Sequence, residues 1–578
     1  MAKTQNPAAF LPGQVPSSPL EKIALSLSGG GYRAASFHLG GMSYLNHLRH
    51  DKIPLLQKVE MISTVSGGTI PGVVYTLMLQ NGDSFEQCYH LLIEKLGTID
   101  LVAGGIAMLN PENELNNKCK AKNLINAFAQ QYDEQFTAGA TLKDLDRMKG
   151  HLKAVVFNAT EFTNAINFRF RNPDTYLKTG NDAFRIPRET AKEIKLSDII
   201  ASSSCFPGGF EPLLWPNDYI HDSAPLLEKL KAENDQKNVL PTGIMDGGIY
   251  DNQGVESIML YKNGMDIPYF DLVIVSDVAS PDMNAYQALI ETPKKQGWKS
   301  LTLSQIITKC SSLIKKINLI LVLAIILPLV IPLLWGYKNN VLTGICVAIS
   351  LLSTSLLMLK AWLIRLAKSS YEKIKKEVLE IIPPFYFEKL SKLNVGEISY
   401  HRAQPLLVNR ARSLMTLLSV IFLKVIRRLN YKRLYEHPNY DYRRSTVLIK
   451  ELTESDWQPK HPKLRYDQEI GPKLKAVVEQ AAEFGTTLWF TEDEKLTKML
   501  QLLVVTGQAT MCYNIKTYLE ELTAPAKEGK EANGFEFLPT EVRSAITETL
   551  KSCTADWENF KSDPNYLYTK LTASKPQK

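Results

Sequence analysis

Two glycine-containing segments of this 578-residue chain have the residue types needed for acyl transfer through a serine ester. One of them, Thr64 to Gly68 (Thr-Val-Ser-Gly-Gly), follows a short apolar run and precedes helical apolar spacing, which predicts a strand-to-helix turn at Ser66. A serine nucleophile at such a turn needs small neighbours, because its backbone is strained and larger side chains would collide with the sheet. Gly67 and Gly68 meet that requirement, and Ser66 is the predicted nucleophile.

The other segment, Ser28 to Arg33 (Ser-Gly-Gly-Gly-Tyr-Arg), lies between a strand-like apolar run and a stretch with helical spacing. Without Cβ atoms, the amides of Gly29, Gly30 and Gly31 can converge on one point, and the helix N-terminus adds a positive partial charge there. We therefore predict that these three glycines form an oxyanion hole, which would stabilise the negative oxygen of an acyl-transfer transition state.

The same glycines also fit a nucleotide-binding fingerprint. Gly29, Gly31 and Ala34 have the spacing G-x-G-x-x-A, and Asp51 lies 51 − 31 = 20 positions beyond Gly31. However, Asp51 lies in a charged turn before the second strand, whereas the fingerprint places its acid at the end of that strand. The acyl-transfer interpretation is therefore preferred, and a third interpretation, in which both glycine clusters are only turns, stays open.

A serine nucleophile needs a base, and the segment Gly243 to Asn252 offers one. Asp246 is followed there by Gly247 and Gly248, so another group can approach its carboxylate closely. Aspartate is a weak base at its usual pKa of about 3.9, so it would act only in a dry pocket with a direct hydrogen bond to Ser66. Asp246 is the predicted base, and an ordinary turn aspartate is the alternative.

The triple glycine, the serine turn and the Asp246-Gly-Gly segment, in this order, resemble the patatin-like phospholipase family, which shares its core with the cytosolic phospholipases. Lys153–Glu161 and Ala201–Pro212 are also similar to segments of that family, and the resemblance covers about residues 20–280. It differs at Thr64, where the family usually has glycine. The resemblance implies a Ser/Asp dyad that uses no histidine, metal or cofactor.

Arg33 follows the triple glycine at the basic position of the family. The resemblance implies that it either orders the glycine loop or binds the lipid phosphate; the alternative is a helix-start arginine paired with a surface acid. The nine histidines, including His38, His47 and His221, lack metal-ligand spacing. We interpret them as structural.

The elements around these segments predict an α/β fold. Candidate strands alternate with helices, as a largely parallel sheet requires, and the resemblance implies a three-layer patatin-like core. An apolar content of 45% with 22% charged residues is ordinary for a globular protein. The candidate strands are residues 23–28, 59–65, 153–158, 243–245 and 271–277.

The catalytic domain is predicted at residues 20–310, after a flexible arm at residues 1–19 that contains four prolines. This arm has no apolar core of the kind found in a secretory signal. The seven cysteines are scattered and form no C-x-x-C pair, which indicates neither a disulfide framework nor a zinc site and favours a reducing compartment.

Two uncharged runs, Ile317–Tyr337 and Val341–Leu359, follow the catalytic domain. At about 1.5 Å per residue, each can cross a hydrocarbon core of roughly 30 Å. We predict a transmembrane helical hairpin over residues 311–368; the alternative is a buried hairpin in a soluble domain, although soluble helices of this length normally have a polar face.

Positive charge is concentrated outside this hairpin, which predicts that both of its outer ends, and with them the catalytic domain, face the cytoplasm. The flanking cations are Lys309, Lys315, Lys316, Lys360, Arg365 and Lys368, and the connecting loop contains Lys338.

The C-terminal region, residues 369–578, is predicted to be rich in helices. Its apolar run Leu414–Leu423 is too short to span a membrane and is bracketed by arginine and lysine. This predicts a basic helix at a membrane surface, with a solvated core helix as the alternative. Thr487–Glu494 resembles closing segments of bacterial patatin-like proteins, so we expect the region to pack partly on the catalytic domain. The net charge of +7 fits an anionic surface, and no nucleic-acid-binding signature accompanies it.

The predicted function is a membrane-anchored serine acyl hydrolase that cleaves fatty acyl esters of phospholipids through an acyl-enzyme. Its predicted partners are membrane phospholipid and the bilayer, without nucleic acid. The alternatives are an esterase or transacylase acting on non-phospholipid acyl esters, and an inactive patatin-fold membrane protein.

Overall fold

The computed structural model divides the chain into two units, which are Met1–Met283 together with Val420–Lys578, and Asn284–Ser419. Most of the predicted arm at residues 1–19 and the predicted loop cation Lys338 lie outside the described residues. The described residues are 15–172, 178–182, 185–221, 228–229, 231–232, 242–261, 269–278, 300–334, 340–381, 397–525 and 534–574.

One eight-stranded sheet forms the centre of the first unit. Its strands are β1 Ile23–Leu27, β2 Val59–Val65, β3 Ala154–Glu161, β4 Ile166–Arg171, β5 Leu213–Trp215, β6 Thr242–Asp246, β7 Leu272–Asp277 and β8 Arg444–Leu448. Their order is β8-β7-β1-β2-β3-β6-β5, and β4 also pairs with β3.

The sheet is mostly parallel. β1 pairs in parallel with β2 and β7, β2 with β3, and β7 with β8. β3 pairs antiparallel with β4 and β6, and β5 pairs antiparallel with β6. Every residue of β1 and β7 is buried, as expected for strands covered on both faces. The prediction of an α/β core with a largely parallel sheet is confirmed, and the antiparallel pairs are confined to the side of β3 that carries β4, β5 and β6.

Helices pack on this sheet. Those that follow β8 are called the C-terminal group. The described helices before the second unit are α1 Gly31–His47, α2 Thr69–Asn81, α3 Phe85–Thr98, α4 Leu101–Met108, α5 Leu124–Tyr132, α6 Arg188–Lys192, α7 Leu196–Ser204, α8 Gly248–Asp251 and α9 Val255–Met259.

Three long helices make up the described part of the second unit: α10 Leu303–Leu334, α11 Asn340–Ile381 and α12 Tyr400–Thr416. α10 and α11 are long and apolar enough to cross a membrane, and most of their large apolar side chains are exposed. The small residues Cys346, Ser350 and Ser353 of α11 are buried, and the Ser350 hydroxyl donates to the Ile325 carbonyl of α10 at 2.9 Å. Such small residues let two helices approach closely.

The first unit then continues with α13 Phe422–Tyr435, α14 Glu454–Lys460, α15 Tyr466–Glu469, α16 Pro472–Ala482, α17 Glu492–Leu496, α18 Met499–Thr523, α19 Thr540–Ser562 and α20 Tyr566–Ala573.

The contact between α1 and α18 joins the C-terminal group to the sheet. A Cβ on Gly40 of α1 would lie 2.0 Å from the Val504 carbonyl oxygen, and one on Gly507 of α18 would lie 2.0 Å from that of Phe37. The two backbones therefore touch where neither helix has a side chain. Because β8 also joins the sheet beside β7, the C-terminal segments belong to the same core as the glycine-containing turns.

Candidate active site

Ser66 lies at a sharp turn between β2 and α2. It has a left-handed backbone, with φ of 50°, and begins a single 3-10 turn, Ser66–Gly68. A residue with a side chain rarely adopts this conformation, and strain of this kind is found at catalytic turns. The Ser66 side chain is half-buried, so its hydroxyl lies at the edge of the core.

Thr64 fits into this turn because a glycine on α2 leaves room for it. A Cβ on Gly72 would lie 2.4 Å from Thr64 Cγ2, and the Thr64 hydroxyl lies 2.9 Å from that of Thr69. The larger residue at the family's usual glycine position is therefore accommodated by Gly72, in the first turn of α2.

The glycine loop and the serine turn are in direct backbone contact. Their strands β1 and β2 are parallel neighbours, with Leu27 opposite Thr64. A Cβ on Gly67 would lie 2.1 Å from the Gly31 carbonyl oxygen. Gly31 has φ of 59°, a conformation that favours glycine. The two segments that the sequence places far apart thus share one edge of the sheet.

The three predicted oxyanion donors are not equivalent. The Gly29 amide donates to the Asn252 carbonyl at 3.1 Å, so it is already engaged. Among the described residues, the amides of Gly30 and Gly31 donate to no protein atom, and they stand at the N-terminus of α1, where the helix dipole is positive. The arrangement therefore leaves two amides available to an oxyanion.

Asp246 is the last residue of β6 and is 3% exposed. Burial raises the pKa of this carboxyl group to about 6, and hydrogen bonds from the Gly248 amide and the Ser66 hydroxyl partly oppose that rise. The Gly248 amide lies 2.6 Å from Asp246 Oδ1. Ser66 and Asp246, although 180 positions apart in sequence (246 − 66), are therefore neighbours in this site.

The end of α7 holds both of these residues, which the sequence alone did not indicate. The Ser203 hydroxyl accepts a hydrogen bond from the Ser66 amide at 2.8 Å and donates one to the Asn158 carbonyl at 2.6 Å. The Ser203 carbonyl accepts the Gly247 amide at 3.2 Å. The segment Ala201–Pro212, which resembles part of the family, therefore contains a residue that bridges the serine turn and the acid segment.

Arg33 contacts a loop from the C-terminal group. Its guanidinium donates at 3.0 Å to the Phe484 carbonyl and at 3.0 Å to the Thr486 hydroxyl. The neighbouring Thr487 carbonyl accepts the Tyr32 amide at 2.7 Å. Burial lowers the pKa of Arg33, and the carboxylate of Asp277 opposes that effect. These contacts join the start of α1 to the loop at residues 484–487, and the two roles predicted for Arg33 stay predictions.

His38 forms hydrogen bonds to the start of the glycine loop and to β7. Its Nε2 donates to the Ser28 carbonyl at 2.9 Å, and its Nδ1 lies 2.8 Å from the Ser276 hydroxyl. Burial lowers the pKa of His38 to about 4, so the ring is neutral at physiological pH. Within the part of the chain that the structure describes, no three histidine, cysteine or acidic side chains cluster as metal ligands would.

Comparison with known protein families gives one match. The family model of patatin-like phospholipases matches residues 25–259, which confirms the resemblance predicted from the sequence. This range contains both glycine-containing turns and Asp246. No curated protein sequence matches the chain.

Two solved structures align with part of the chain. Human GIVD cytosolic phospholipase A2 is 13% identical, with 45% of this chain and 46% of that one covered and a TM-score of 0.27. VipD from Legionella pneumophila is 14% identical, with 48% and 52% covered and a TM-score of 0.23. The chain thus spans about half the length of either relative.

Proposed function

We propose that this chain, which carries a patatin-like domain at residues 25–259, is a membrane-anchored serine hydrolase of phospholipid acyl esters. The observation that carries the proposal is the approach of the Ser66 hydroxyl to the buried Asp246 carboxyl group, whose pKa it lowers, beside two glycine amides that donate to no described protein atom. A serine, an acid and an oxyanion site are the parts that acyl transfer requires.

In the proposed reaction, Ser66 Oγ attacks the ester carbonyl carbon while its proton passes to Asp246. The amides of Gly30 and Gly31 donate to the negative oxygen of the tetrahedral intermediate. The bond to the lipid alcohol then breaks, and the alcohol leaves with the proton from Asp246. Water attacks the acyl-enzyme, giving its proton to Asp246, and the fatty acid leaves as Ser66 recovers that proton.

The acidity of Asp246 suits this role. With a pKa of about 6, its carboxylate is ionised at neutral pH yet more basic than an exposed aspartate. A general base works best when its pKa lies near the operating pH. The Ser66 hydroxyl is also its direct neighbour, so no histidine is needed to carry the proton.

The test is hydrolysis of phospholipid vesicles by the intact chain, with free fatty acid and lysophospholipid quantified. Ser66→Ala should lower the rate by roughly a thousandfold or more, since loss of a nucleophile removes the covalent route. Ser552→Ala, at an exposed serine of α19, is the matched control and should not change the rate. A fluorophosphonate probe should label the intact chain and the Ser552 variant but not the Ser66 variant.

Two results would replace this proposal. Labelling and cleavage of a small soluble ester without loss of phospholipid would identify an esterase or transacylase acting on other acyl esters. Absence of labelling, with a folded protein, would identify an inactive membrane protein.

The anchor is the second part of the proposal. Helices α10 and α11 would cross the bilayer as a hairpin, with the cation-rich outer ends in the cytoplasm. The intact chain should remain in the membrane pellet after carbonate washing, and deletion of residues 311–368 should release it. Release of the intact chain by carbonate alone would exclude a spanning hairpin.

A further inference from the structure

Helix α13, Phe422–Tyr435, has large apolar residues on its outer face, whereas its buried face combines Leu434 with two polar residues. Phe422, Val425 and Leu429 are 44%, 45% and 53% exposed, whereas Arg427 and Asn430 are buried. A helix on a water-facing surface normally has the opposite arrangement. The outer face therefore has the composition of a surface that is covered by something apolar.

The inward contacts show that this orientation is fixed. Arg427 Nε and the Tyr431 hydroxyl each donate to Asp277 Oδ2 at 2.8 Å. Asn430 Nδ2 donates to the Tyr250 carbonyl and to Asp251 Oδ1, both at 3.2 Å. Rotating the helix to bury its apolar face would leave the Asp277 carboxylate, which is fully buried, without its arginine.

Charge around the apolar face favours one kind of partner. Between Tyr400 and Tyr435 the chain has eight lysines or arginines and no aspartate or glutamate. On α13 itself, Arg428, Lys432 and Arg433 are exposed beside the apolar residues. Lys432 lies 3.6 Å from Glu436 and Arg433 lies 2.7 Å from Glu256, so Arg428 is the cation of the three without an ion pair among the described residues. Exposed apolar residues flanked by cations are typical of helices that lie in the interface of an anionic bilayer.

A groove with a volume of about 640 Å³ adjoins the second half of α13. It is bounded by Leu429 and Arg433 on the helix and by Tyr250 of α8. The groove combines an apolar wall with a rim that contains Lys432, Arg433 and Glu436, so it offers two cations and one acid beside a surface suited to an acyl chain. It also borders α8, the helix that begins two residues after Asp246.

We infer that the outer face of α13 binds the surface of an anionic phospholipid bilayer, with Phe422, Val425 and Leu429 inserted among the headgroups. The inward hydrogen bonds then hold the acid segment of the candidate active site against that surface. The inference rests on the proposed function only in taking a membrane as the location of the substrate.

The experiment uses the intact chain reconstituted in vesicles, with the exposed Cys119 and Cys310 replaced by serine and with Ser66→Ala to prevent hydrolysis. A fluorophore on Val425→Cys reports quenching by nitroxide-labelled lipids. Phe422→Cys provides a second position if the first variant does not fold. The matched control is Leu496→Cys, because Leu496 is 80% exposed but follows an acidic helical turn.

Fluorescence at position 425 should fall at least about twofold in phosphatidylcholine vesicles that contain phosphatidylglycerol, since an interfacial helix lies roughly 5–10 Å into the headgroup region. Quenching should weaken in phosphatidylcholine alone and at high salt, and the label at position 496 should stay unquenched. Equal quenching at both positions, equal quenching with and without anionic lipid, or a response to duplex DNA instead of vesicles would overturn the inference. Because Ser66 is absent from the test, failure of phospholipid hydrolysis would not affect its result.

Discussion

The serine side and the acid side of the candidate active site are held in different ways. On the serine side, the turns at Ser66 and at Gly29 to Gly31 follow parallel neighbouring strands and meet through backbone atoms. On the acid side, Asp246 ends an antiparallel strand, and its backbone is held by the Cys205 carbonyl and the Thr160 hydroxyl, each from a distant segment. The first side depends on missing side chains, and the second depends on burial and hydrogen bonds.

This difference predicts opposite sensitivities. An added methyl group on the serine side meets rigid backbone, whereas on the acid side the loss of one polar group leaves its partners unsatisfied. The first change should act almost entirely on activity and local geometry. Loss of a polar group on the acid side should change both stability and catalysis. The size of each change should follow from the pKa of Asp246 and from the number of hydrogen bonds lost.

The largest effect is expected from Gly67→Ala. The new Cβ would lie 2.1 Å from the Gly31 carbonyl oxygen, so the glycine loop must move away from Ser66. Because the oxyanion amides move with that loop, kcat/KM for a soluble ester should fall by about a hundredfold to a thousandfold. Steady-state kinetics and a melting curve would measure this.

Gly485→Ala is the matched control for that variant, since no atom of the described residues lies within 4 Å of the point that its new Cβ would occupy. It should retain normal kinetics although it lies in the loop that contacts Arg33. Normal kinetics for the Gly67 variant would show that the two turns can separate without loss of function, and would remove the distinction between the two sides.

The sequence could reveal the candidate residues of both sides because each of them has small neighbours of its own. Gly67 and Gly68 mark the Ser66 turn, and Gly247 marks Asp246, all within a few positions. The predicted strands 23–28, 59–65, 153–158 and 271–277 are present for a different reason, since buried strands with parallel neighbours are continuous apolar runs. The predicted strand 243–245 is also present, as part of the antiparallel β6.

The supporting residues could not be predicted in this way. Ser203 acts 137 positions from Ser66, and Thr487 and Phe484 reach the glycine loop from more than 450 positions away. Their contacts use a hydroxyl and backbone carbonyls, which any sequence contains in large numbers. The hydrogen bond from the Gly29 amide to the Asn252 carbonyl could not be predicted for the same reason, because a backbone carbonyl has no signature in the sequence.

The second prediction concerns the stability effect of the buried acid. Because burial raises the pKa of Asp246 to about 6, its contribution to stability is complete below its unfolded pKa and is lost as the pH rises through about 6. Asp246→Asn removes the charge, so it should stabilise the protein above pH 6 by roughly 2–3 kcal/mol, and the gain should vanish near the unfolded pKa of about 4. Urea unfolding at several pH values would measure it. A variant that is less stable at high pH would contradict the burial of a charged group.

The same group predicts a pH dependence of catalysis. The base must be ionised, so kcat/KM of the intact enzyme should rise about tenfold per pH unit below the pKa and level off above about 6. A soluble ester substrate avoids any change in vesicle binding with pH. A rate that stays constant from acid to neutral pH would exclude Asp246 as the base.

A smaller effect is expected from Ser203→Ala, which leaves the Ser66 amide without its acceptor. The strained turn should loosen, and kcat should fall by about tenfold with little change in KM, since one buried hydrogen bond contributes about 1 kcal/mol. Ser202→Ala is the matched control, because Ser202 is equally buried and bonds to Asp198 and Tyr219 instead. Both variants should lose similar stability. An equal loss of kcat in both would reduce Ser203 to a structural residue.

The smallest effect is expected from Arg33→Met, which keeps much of the side-chain volume but removes the bonds to Phe484 and Thr486. If Arg33 orders the glycine loop, kcat/KM should fall by about fivefold for a phospholipid and for an uncharged ester alike, in line with two modest hydrogen bonds. A loss confined to the phospholipid would instead assign Arg33 to the lipid phosphate. Parallel assays on the two substrates therefore distinguish a residue that shapes the serine side from one that binds substrate.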